Sequence, residues 1–307
     1  MSAALLIPAL LLDAALGEPR ALWSRVPHPA VLMGRMIDAA ETRCNRGPNR
    51  RAKGAAVMAG LALGAIALGW LIRLIPDLGL LEVVTAAILL AQRSLVDHVR
   101  AVADALRLSL QDGRRMVSRI VGRDTSAMTA PDVARAAIES AAENFSDGVI
   151  APAFWFLVAG LPGLLLYKIT NTADSMIGHR TPRFEHFGWA AARLDDGLNW
   201  LPARLTASLI ALTAARPDAV PIILRDAPLH RSPNAGWPEA AMAVVLGVAL
   251  AGPRSYAGKR QEFPYVHPEG RRDLGPDDID AACRVLWKTW ATALFIAVLL
   301  AALLAAV

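Results

Sequence analysis

The sequence lacks the loops by which many soluble enzymes hold nucleotides or activate nucleophiles. It contains no G-x-x-x-x-G-K-[ST], no G-x-G-x-x-G, no G-x-S-x-G and no H-E-x-x-H motif. It has only two cysteines, Cys44 and Cys283, which are too isolated for a disulfide framework or a zinc site. Most of its arginines are interspersed with acids, which argues against nucleic-acid binding. Any nucleotide would have to be held by carboxylates, Mg²⁺ and scattered Arg and Lys side chains.

Apolar residues are in excess, at 55% of the chain against about 45–50% in soluble domains. Two blocks, Gly54–Ile75 and Trp290–Val307, approach or exceed the roughly 20 residues of a membrane span and have no polar face. A buried core would also explain the shorter or interrupted blocks, which are 78–92, 149–167, 198–215 and 240–252. We expect 1–16 to be a retained helix rather than a signal peptide, because it has no basic start.

The fold class that this pattern predicts is all-α: a polytopic integral membrane helical protein, with 1–307 as a single membrane domain. The block 149–167 contains Pro152 and the run Gly160-Leu161-Pro162-Gly163, which predicts a re-entrant or broken helix. If that block crosses once, the loops carry 19 basic residues on one face and 11 on the other. If the block instead enters the membrane and returns to the same face, the counts are 26 and 4. The positive-inside rule favours this second arrangement.

The segment 93–147 is predicted to be a cytoplasmic helical loop within this domain. Its first part, Arg93–Leu110, has apolar residues at helical spacing, as an amphipathic surface helix does. A second helix is expected to start at Thr129–Asp132, with a capping Thr, an early Pro and an early acid, and to run to about Phe145. Gly60 and Gly64 have the small-xxx-small spacing of a helix-packing face.

Three clusters of acids and amides could carry chemistry. In the first, Glu139, Glu143 and Asp147 are spaced i, i+4, i+8, so on one helix they share a face and repel each other. A salt-bridge ladder with Arg135 would relieve this repulsion, and so would a divalent cation with oxygen ligands, such as Mg²⁺ carrying a phosphate. The residues themselves leave both explanations open.

The second cluster follows directly on an apolar segment, where polar groups line a site or serve as a helix cap and interfacial anchors. Its members are Lys168, Asn171, Asp174, Ser175, His179 and Arg180. The third, Asp195-Asp196, is predicted to open the next apolar helix, where the helix dipole alone would favour adjacent acids. A fourth stretch, His230–Glu239, contains Asn234 and is predicted to be a turn-rich start to a membrane helix.

Several motifs follow one another along the chain: D-x-x-x-G-E-P at 13–19, His28-Pro29 with Gly34, and I-V-G-R-D-T at 120–125. These are followed by E-S-x-A-E-N-x-S-D-G at 139–148, N-T-x-D-S-M-I-G at 171–178 and S-P-N-A-G-W-P-E-A-A-M-A at 232–243. In this set the sequence resembles the cobalamin biosynthesis family CobD/CbiB, from near the N-terminus to about residue 258. The sequence departs from the family pattern at Glu18, where Asp would be equally expected, and this change keeps the negative charge.

The resemblance implies a membrane-bound adenosylcobinamide-phosphate synthase in the bacterial inner membrane, with its active site on the cytoplasmic side. Such an enzyme is an ATP-dependent amide ligase that uses Mg²⁺. It joins the carboxylate of adenosylcobyric acid to the amine of (R)-1-aminopropan-2-ol or of its O-phosphate. The implied partners are the corrinoid, the aminopropanol or its phosphate, membrane lipid and other corrinoid enzymes, with no nucleic acid.

On this resemblance each cluster receives a hypothetical role. The expected metal ligands are Glu139, Glu143, Asp147 and Asp174. Lys168 is expected to take part in catalysis, and Asp195 or Asp196 to act as the general base for the amine. The residues expected to bind phosphate or substrate amides are Asn144, Asn171, Ser175, His179, Arg180 and Asn234.

Two other functions remain open at this stage. A Mg²⁺-dependent membrane transferase acting on a diphosphate-linked substrate would place acids beside a membrane in a similar way. It would be expected to show paired D-x-x-x-D or D-D-x-x-D motifs, whereas here single acids are mixed with Asn and Ser. A non-catalytic corrinoid transporter or scaffold would belong to another class, and inverted repeats, which would favour transport, are not found. The number of crossings, the oligomeric state and the choice of amine are left open by the sequence.

Overall fold

The computed structural model describes residues 2–256 and 259–306 and is predominantly helical, which confirms the all-α prediction. The α-helices are α1 Ser2–Leu16, α2 Arg20–Trp23, α3 Pro29–Cys44, α4 Arg50–Arg73, α5 Leu80–Leu89, α6 Gln92–Leu108, α7 Leu110–Val117, α8 Ala130–Phe145, α9 Ala151–Ile177, α10 Trp189–Thr213, α11 Ala219–Asp226, α12 Gly236–Leu246 and α13 Pro276–Ala305. A π-helical turn, Ser146–Ile150, joins α8 to α9, and a 3-10 turn, Ala227–Leu229, follows α11. Four short strands form two antiparallel pairs, β1 Leu250–Ala251 with β4 Tyr265–Val266, and β2 Arg254–Tyr256 with β3 Lys259–Gln261.

Three helical stretches are long and apolar enough to cross a membrane: Arg50–Arg73, Ala130–Ile177 and Pro276–Ala305. In the first and third stretches, only 11% and 17% of the most apolar 18 residues are buried. Most of these side chains therefore need to be covered by lipid. In the middle stretch, α8 to α9, 61% of the most apolar 18 residues are buried. These helices support the predicted membrane fold.

The chain divides into two compact units. Unit 1 comprises Met1–Ala91, Ala151–Trp200 and Ala297–Val307, and unit 2 comprises Gln92–Ile150 and Leu201–Ile296. The predicted helical loop 93–147 falls within unit 2. Its cytoplasmic location and the single membrane domain stay predictions.

In unit 1 the predicted break in the apolar block 149–167 is confirmed. Gly160 adopts φ 64° and ψ −156° inside α9, a conformation that glycine reaches without a steric penalty, and Pro162 follows it. Pro152 does not interrupt the helix, because it lies in the first turn of α9, where its missing N–H costs no hydrogen bond. The helix is therefore broken once, at Gly160, and the re-entrant path through a membrane stays a prediction.

The glycines that let helices of unit 1 approach closely are not the predicted pair. Gly60 and Gly64 have open space around the position of a Cβ, so the predicted pair forms no packing face between helices of the described chain. Instead, a Cβ added at Gly54 would lie 1.9 Å from the carbonyl oxygen of Phe187, and one at Gly69 would lie 2.5 Å from Cα of Pro162. Spacing alone did not tell which face of α4 meets protein and which faces outward.

Unit 2 is built around α8, which begins where the sequence predicted. Thr129 caps the helix in a capping box with Asp132, and the helix ends at Phe145. On α6 the predicted apolar face is buried, including Val96, Val99 and Val102. The block 240–252 is not a membrane helix, because α12 ends at Leu246, and Ala240–Val244 are buried. Packing against α8 and α11 accounts for its apolar sequence.

Candidate functional site

The clearest grouping of polar side chains in unit 1 lies between the end of α9 and the start of α10. It consists of Asp174, Asp195, Asp196, Asn171 and Asn199, and we refer to it as the Asp195 group. A glycine lets the two helices meet here, since a Cβ at Gly188 would lie 1.6 Å from the carbonyl oxygen of Ile177. No side chain other than hydrogen can occupy position 188 without moving the backbone.

Asp195 is held by two side-chain amides. Asn171 donates from Nδ2 to Asp195 Oδ1 over 3.3 Å, and Asn199 donates from Nδ2 to Oδ2 over 2.9 Å. Tyr167 donates to Asn199 Oδ1 over 2.9 Å, which orients the amide so that its nitrogen faces the carboxyl group. Both oxygens of Asp195 therefore have defined donors from two helices.

Opposing effects set the pKa of the Asp195 carboxyl. It lies outside the three candidate membrane-spanning stretches, and burial together with the neighbouring charge of Asp174 raises the pKa of its carboxyl to about 7. The hydrogen bonds from Asn171 and Asn199 act in the opposite direction. Burial also raises the pKa of Asp196, against the charges of Arg193 and Arg180. A carboxyl that titrates near neutral pH can accept or release a proton under physiological conditions.

The predicted helix start at Asp195-Asp196 is wrong. Helix α10 begins at Trp189, so both acids lie beyond its first turn, where the free N–H groups of the helix end no longer stabilise them. The reason is local, because the run Trp189-Ala-Ala-Ala contains good helix formers and no breaker. Burial and carboxyl neighbours, rather than the helix dipole, define the surroundings of Asp195.

The remaining predicted residues of unit 1 have different surroundings. Arg180, Arg193 and Asp196 line a cavity of about 240 Å³ together with Trp189. His179 and Arg180 are exposed, and Lys168 is partly buried. Ser175 donates from its hydroxyl to the carbonyl oxygen of Asn171, which is a contact within its own helix.

In unit 2 the three acids of the first cluster have different surroundings. Glu139 is buried, Glu143 is exposed, and Asp147 is half-buried in the π-helical turn that interrupts the regular spacing. Arg123 donates from Nη2 to Glu139 Oε2 over 2.7 Å, and Arg254 lies 3.4 Å from the same oxygen. The other oxygen, Oε1, accepts from the backbone N–H of Ala251 over 2.7 Å.

Arg135 does not form the salt bridge with Glu139 that the sequence allowed. Its guanidinium donates to Asp132 over 2.9 Å and to the carbonyl oxygens of Ala249 and Arg272 over 3.2 and 2.8 Å. The alternative to a metal site that rested on Arg135 is therefore wrong. Glu139 is nevertheless paired with protein cations.

The predicted amides of unit 2 have separate environments. Asn144 is exposed and donates to the carbonyl oxygen of Ser140 over 2.8 Å. Asn234 is buried, and its Oδ1 accepts from Arg204 over 3.3 Å. Among residues 2–256 and 259–306, no group of three or more His, Cys, Asp or Glu side chains is arranged to hold a metal ion. The metal assignments of Glu139, Glu143, Asp147 and Asp174 stay predictions.

Sequence reasoning missed two features of unit 2. Arg123 and Arg254, both largely buried, were not singled out as candidate site residues. Glu239 is 1% exposed, and its Oε2 accepts no hydrogen bond within the described part of the chain. Burial raises the pKa of Glu239 well above its usual value, aided by the charge of Glu139. Both Arg123 and Glu239 lie in segments that carry the family resemblance, which was the available signal.

Comparison with known proteins gives one consistent result. The family model described as CobD/Cbib protein matches residues 6–286. A cobalamin biosynthesis protein CobD from Rhizobium meliloti is 52% identical over 300 residues, which cover 92% of each chain. The protein of that name from Brucella anthropi is 50% identical, with 92% of this chain and 91% of the relative covered. One from Rhodobacter capsulatus is 47% identical, covering 86% and 87%. No solved structure matches the chain.

Proposed function

The chain belongs to the CobD/CbiB protein family, and we propose that it acts in cobalamin biosynthesis as an ATP-dependent amide ligase of the inner membrane. The proposed substrates are adenosylcobyric acid and (R)-1-aminopropan-2-ol or its O-phosphate. The product would be adenosylcobinamide or its phosphate. Relatives named cobalamin biosynthesis protein CobD support the pathway, and the proposed reaction goes beyond their names.

The observation that carries the proposal is the carboxyl of Asp195, whose pKa is about 7. An alkylamine is protonated at neutral pH, with a pKa like that of a lysine side chain, and must lose a proton to act as a nucleophile. The best general base for such a step has a pKa near the working pH. Asp195 meets this requirement, and Asn171 and Asn199 hold its oxygens in place.

The proposed reaction balances in two steps. The substrate carboxylate attacks the γ-phosphorus of ATP, ADP leaves, and a mixed acyl phosphate forms. Asp195 takes one proton from the ammonium form of the amine, and the neutral nitrogen attacks the carbonyl carbon. Phosphate leaves with the C–O bonding pair and takes the second proton from nitrogen, which gives the amide and hydrogen phosphate. Arg180, which is exposed beside Asp196, is proposed to face phosphate oxygens.

Mg²⁺ is proposed to accompany the phosphates. Mg²⁺ in phosphoryl-transfer sites is held by one or two carboxylates together with phosphate oxygens and water, so a cage of three acids is not required. Asp174 and Asp196 are the proposed ligands, since Asp174 is close enough to influence the charge of both Asp195 and Asp196. When bound, the ion would neutralise phosphate charge and draw these carboxyls into their ionised form. Glu139 fits this role less well, because both of its oxygens accept from protein donors.

The test uses the full chain purified in nanodiscs with adenosylcobyric acid, ATP, Mg²⁺ and either amine. Mass spectrometry should detect the amide product, and its formation should require ATP. Asp195→Asn keeps the shape of the side chain and removes the base, so the rate should fall roughly 10²–10⁴-fold. Asp97→Asn, in an exposed ion pair with Arg93, is the matched control and should keep the wild-type rate. Absence of product with both amines, or full activity of Asp195→Asn, would refute the proposal.

A further inference from the structure

The connection from α3 to α4 in unit 1 carries a concentration of positive charge, which we call the basic patch. Residues 43–53 contain five cations and no acid: Arg43, Arg46, Arg50, Arg51 and Lys53. Arg50 is half-buried, and the other four are exposed. Blocks of like charge repel one another and are often interaction sites, so the composition of this segment points to a negatively charged partner.

The described residues give the basic patch no carboxylate partner. Lys53 donates from Nζ to the carbonyl oxygen of Arg46 over 2.8 Å, which holds the turn between the two helices. The guanidinium carbon of Arg51 lies 3.8 Å from the centre of the Trp189 ring. Neither contact neutralises a charge, and within residues 2–256 and 259–306 no ion pair joins the five cations to an acid.

The acids of α3 and of the segment 179–188 do not balance the patch. Glu41 is buried and accepts from Nε and Nη2 of Arg183 over 3.0 and 2.7 Å, so a sixth cation already neutralises it. Arg46 is near enough to influence Glu41, which then serves two guanidinium groups. Asp38 and Glu185 are exposed, and neither forms an ion pair with the patch in the described part of the chain. An excess of positive charge therefore remains at this surface.

The length of α4 places the basic patch at the membrane surface. Lys53 and Arg73 are 20 residues apart on this candidate span, which is about 30 Å at 1.5 Å per residue and matches the hydrocarbon core of a bilayer. At the far end, the guanidinium of Arg73 lies 5.2 Å from the centre of the Trp70 ring, and such side chains are typical anchors at the membrane–water interface. The cations at the start of α4 are then level with the headgroups of the opposite leaflet.

We propose that the basic patch is a docking surface for the phosphate groups of anionic membrane lipids. Groups of roughly four to eight Lys and Arg side chains beside a span attract anionic headgroups, through charge-assisted hydrogen bonds and without a preformed pocket. The same helix offers apolar side chains for the acyl chains, since Leu63, Leu68 and Leu71 are exposed. A phospholipid would meet both surfaces, whereas a free phosphate or an acidic protein segment would meet only the cations.

Basic residues beside a span also orient a protein during insertion, and this role has to be separated from lipid binding. Orientation is decided before the protein is purified and creates no preference for one lipid over another afterwards. A lipid preference of the purified chain therefore reports docking alone. The inference is also separate from the proposed amide ligase, because its test needs no turnover.

The test counts lipids on the purified, delipidated full chain in detergent by native mass spectrometry. Dioleoyl-phosphatidylglycerol is the anionic probe, and dioleoyl-phosphatidylcholine, with the same chains and no net charge, is the comparison. Wild-type protein should bind the anionic lipid at least roughly five-fold more tightly. The preference should shrink when the ammonium acetate concentration is raised to about 0.5 M, because salt screens exposed charges.

Substitutions locate the preference on the patch. Arg43→Gln, Arg46→Gln and Arg50→Gln together should weaken binding of phosphatidylglycerol roughly ten-fold or more, since each cation near an anionic surface strengthens binding about five-fold. Arg46→Gln alone, at an exposed position of the turn, is the milder variant and should weaken binding about five-fold. Lys at all three positions keeps the charge and should keep the preference.

The matched control removes the same amount of charge elsewhere. Arg93→Gln, Arg115→Gln and Arg216→Gln together change exposed arginines that each pair with a carboxylate, and should leave the preference unchanged. Three results would overturn the proposal: equal binding of both lipids by wild type, an equal loss in the control variant, or displacement of phosphatidylglycerol by an equal concentration of inorganic phosphate. The last result would show that the patch takes a soluble anion rather than a lipid.

Discussion

Asn199 donates a hydrogen bond from Nδ2 to Asp195 Oδ2 over 2.9 Å, one turn earlier on α10. A donor to a carboxylate favours its charged form, so this bond opposes the burial that raises the pKa of Asp195. Tyr167 fixes the orientation of the amide by donating to its oxygen. Asn199 therefore helps to set the pH at which Asp195 ionises.

The first prediction concerns the pH dependence of the proposed ligase. The pKa of Asp195 is about 7 without metal, and Mg²⁺ on Asp174 and Asp196 would lower it, so the rate should rise with pH along an acid limb at or below about 7 as the carboxyl loses its proton. Asn199→Leu removes the amide donor, so the pKa should rise further and the acid limb should move up by roughly one pH unit. Tyr167→Phe keeps the amide and should shift the limb less. An acid limb that stays in place in Asn199→Leu would contradict this role.

The second prediction concerns stability. The pKa of Asp195 is raised on folding, so the folded state binds the proton more tightly than the unfolded chain, whose carboxyl has the usual pKa of 3.8. This contribution to stability is complete below about pH 3.8 and is lost as the pH rises through about 7. Asp195→Asn cannot ionise, so relative to wild type it should gain on the order of 2 kcal/mol between pH 5 and pH 8.

Thermal unfolding in detergent, followed by tryptophan fluorescence at both pH values, measures this gain. Asp218→Asn, in an exposed pair with Arg216, is the control and should show no such gain. Equal stability differences at pH 5 and pH 8 for Asp195→Asn would show that the carboxyl is ionised throughout this range.

The third prediction compares two glycines of α4. Gly54→Ala would bring a Cβ to 1.9 Å from the carbonyl oxygen of Phe187, so the helix must move, at a cost of about 3 kcal/mol or more. Gly60→Ala enters open space and should be neutral or stabilising by up to about 1 kcal/mol, through helix propensity. The yield and melting temperature of the two purified variants measure the difference. Similar melting temperatures would argue against the close approach at Gly54.

The fourth prediction concerns Arg135, whose hydrogen bonds join α8 to distant segments of unit 2. Arg135→Met keeps much of the side-chain volume but removes the donors to Ala249 O and Arg272 O and leaves Asp132 without its cation. The expected loss of stability is about 2–4 kcal/mol, measured as a lower melting temperature. Arg119→Met, at an exposed position, should change stability by less than about 0.5 kcal/mol. A melting temperature of Arg135→Met equal to that of Arg119→Met would contradict the stabilising role of the Arg135 hydrogen bonds.

Local signals in the sequence were reliable where one short segment decides the outcome. The start of α8 followed from Thr129, Pro131 and Asp132, because a helix cap is formed by residues within one turn. The break at Gly160 followed from Gly and Pro in an apolar run. The start of α10 did not, because acids at 195 and 196 suit a helix end as well as a helix interior beside other polar groups.

Predictions that depend on distant segments failed more often. The spacing of Gly60 and Gly64 is typical of packing, yet the partners of α4 lie at Gly54 and Gly69. Arg135 is one turn from Glu139, but it bonds to carbonyls more than one hundred residues away. Spacing along a helix defines which residues share a face, but it does not define what that face meets.

The sequence by itself determined the helical membrane character, the break in the block 149–167 and the membership of the family, because apolar length, glycine and proline conformations and ordered motifs are properties of consecutive residues. Only the tertiary structure decided that Asn171 and Asn199 hold the same carboxyl of Asp195. It also decided that Glu139 is paired with Arg123 and Arg254. The physical reason is that a buried charge takes the partner that packing brings within hydrogen-bonding distance, and packing joins segments far apart in the chain.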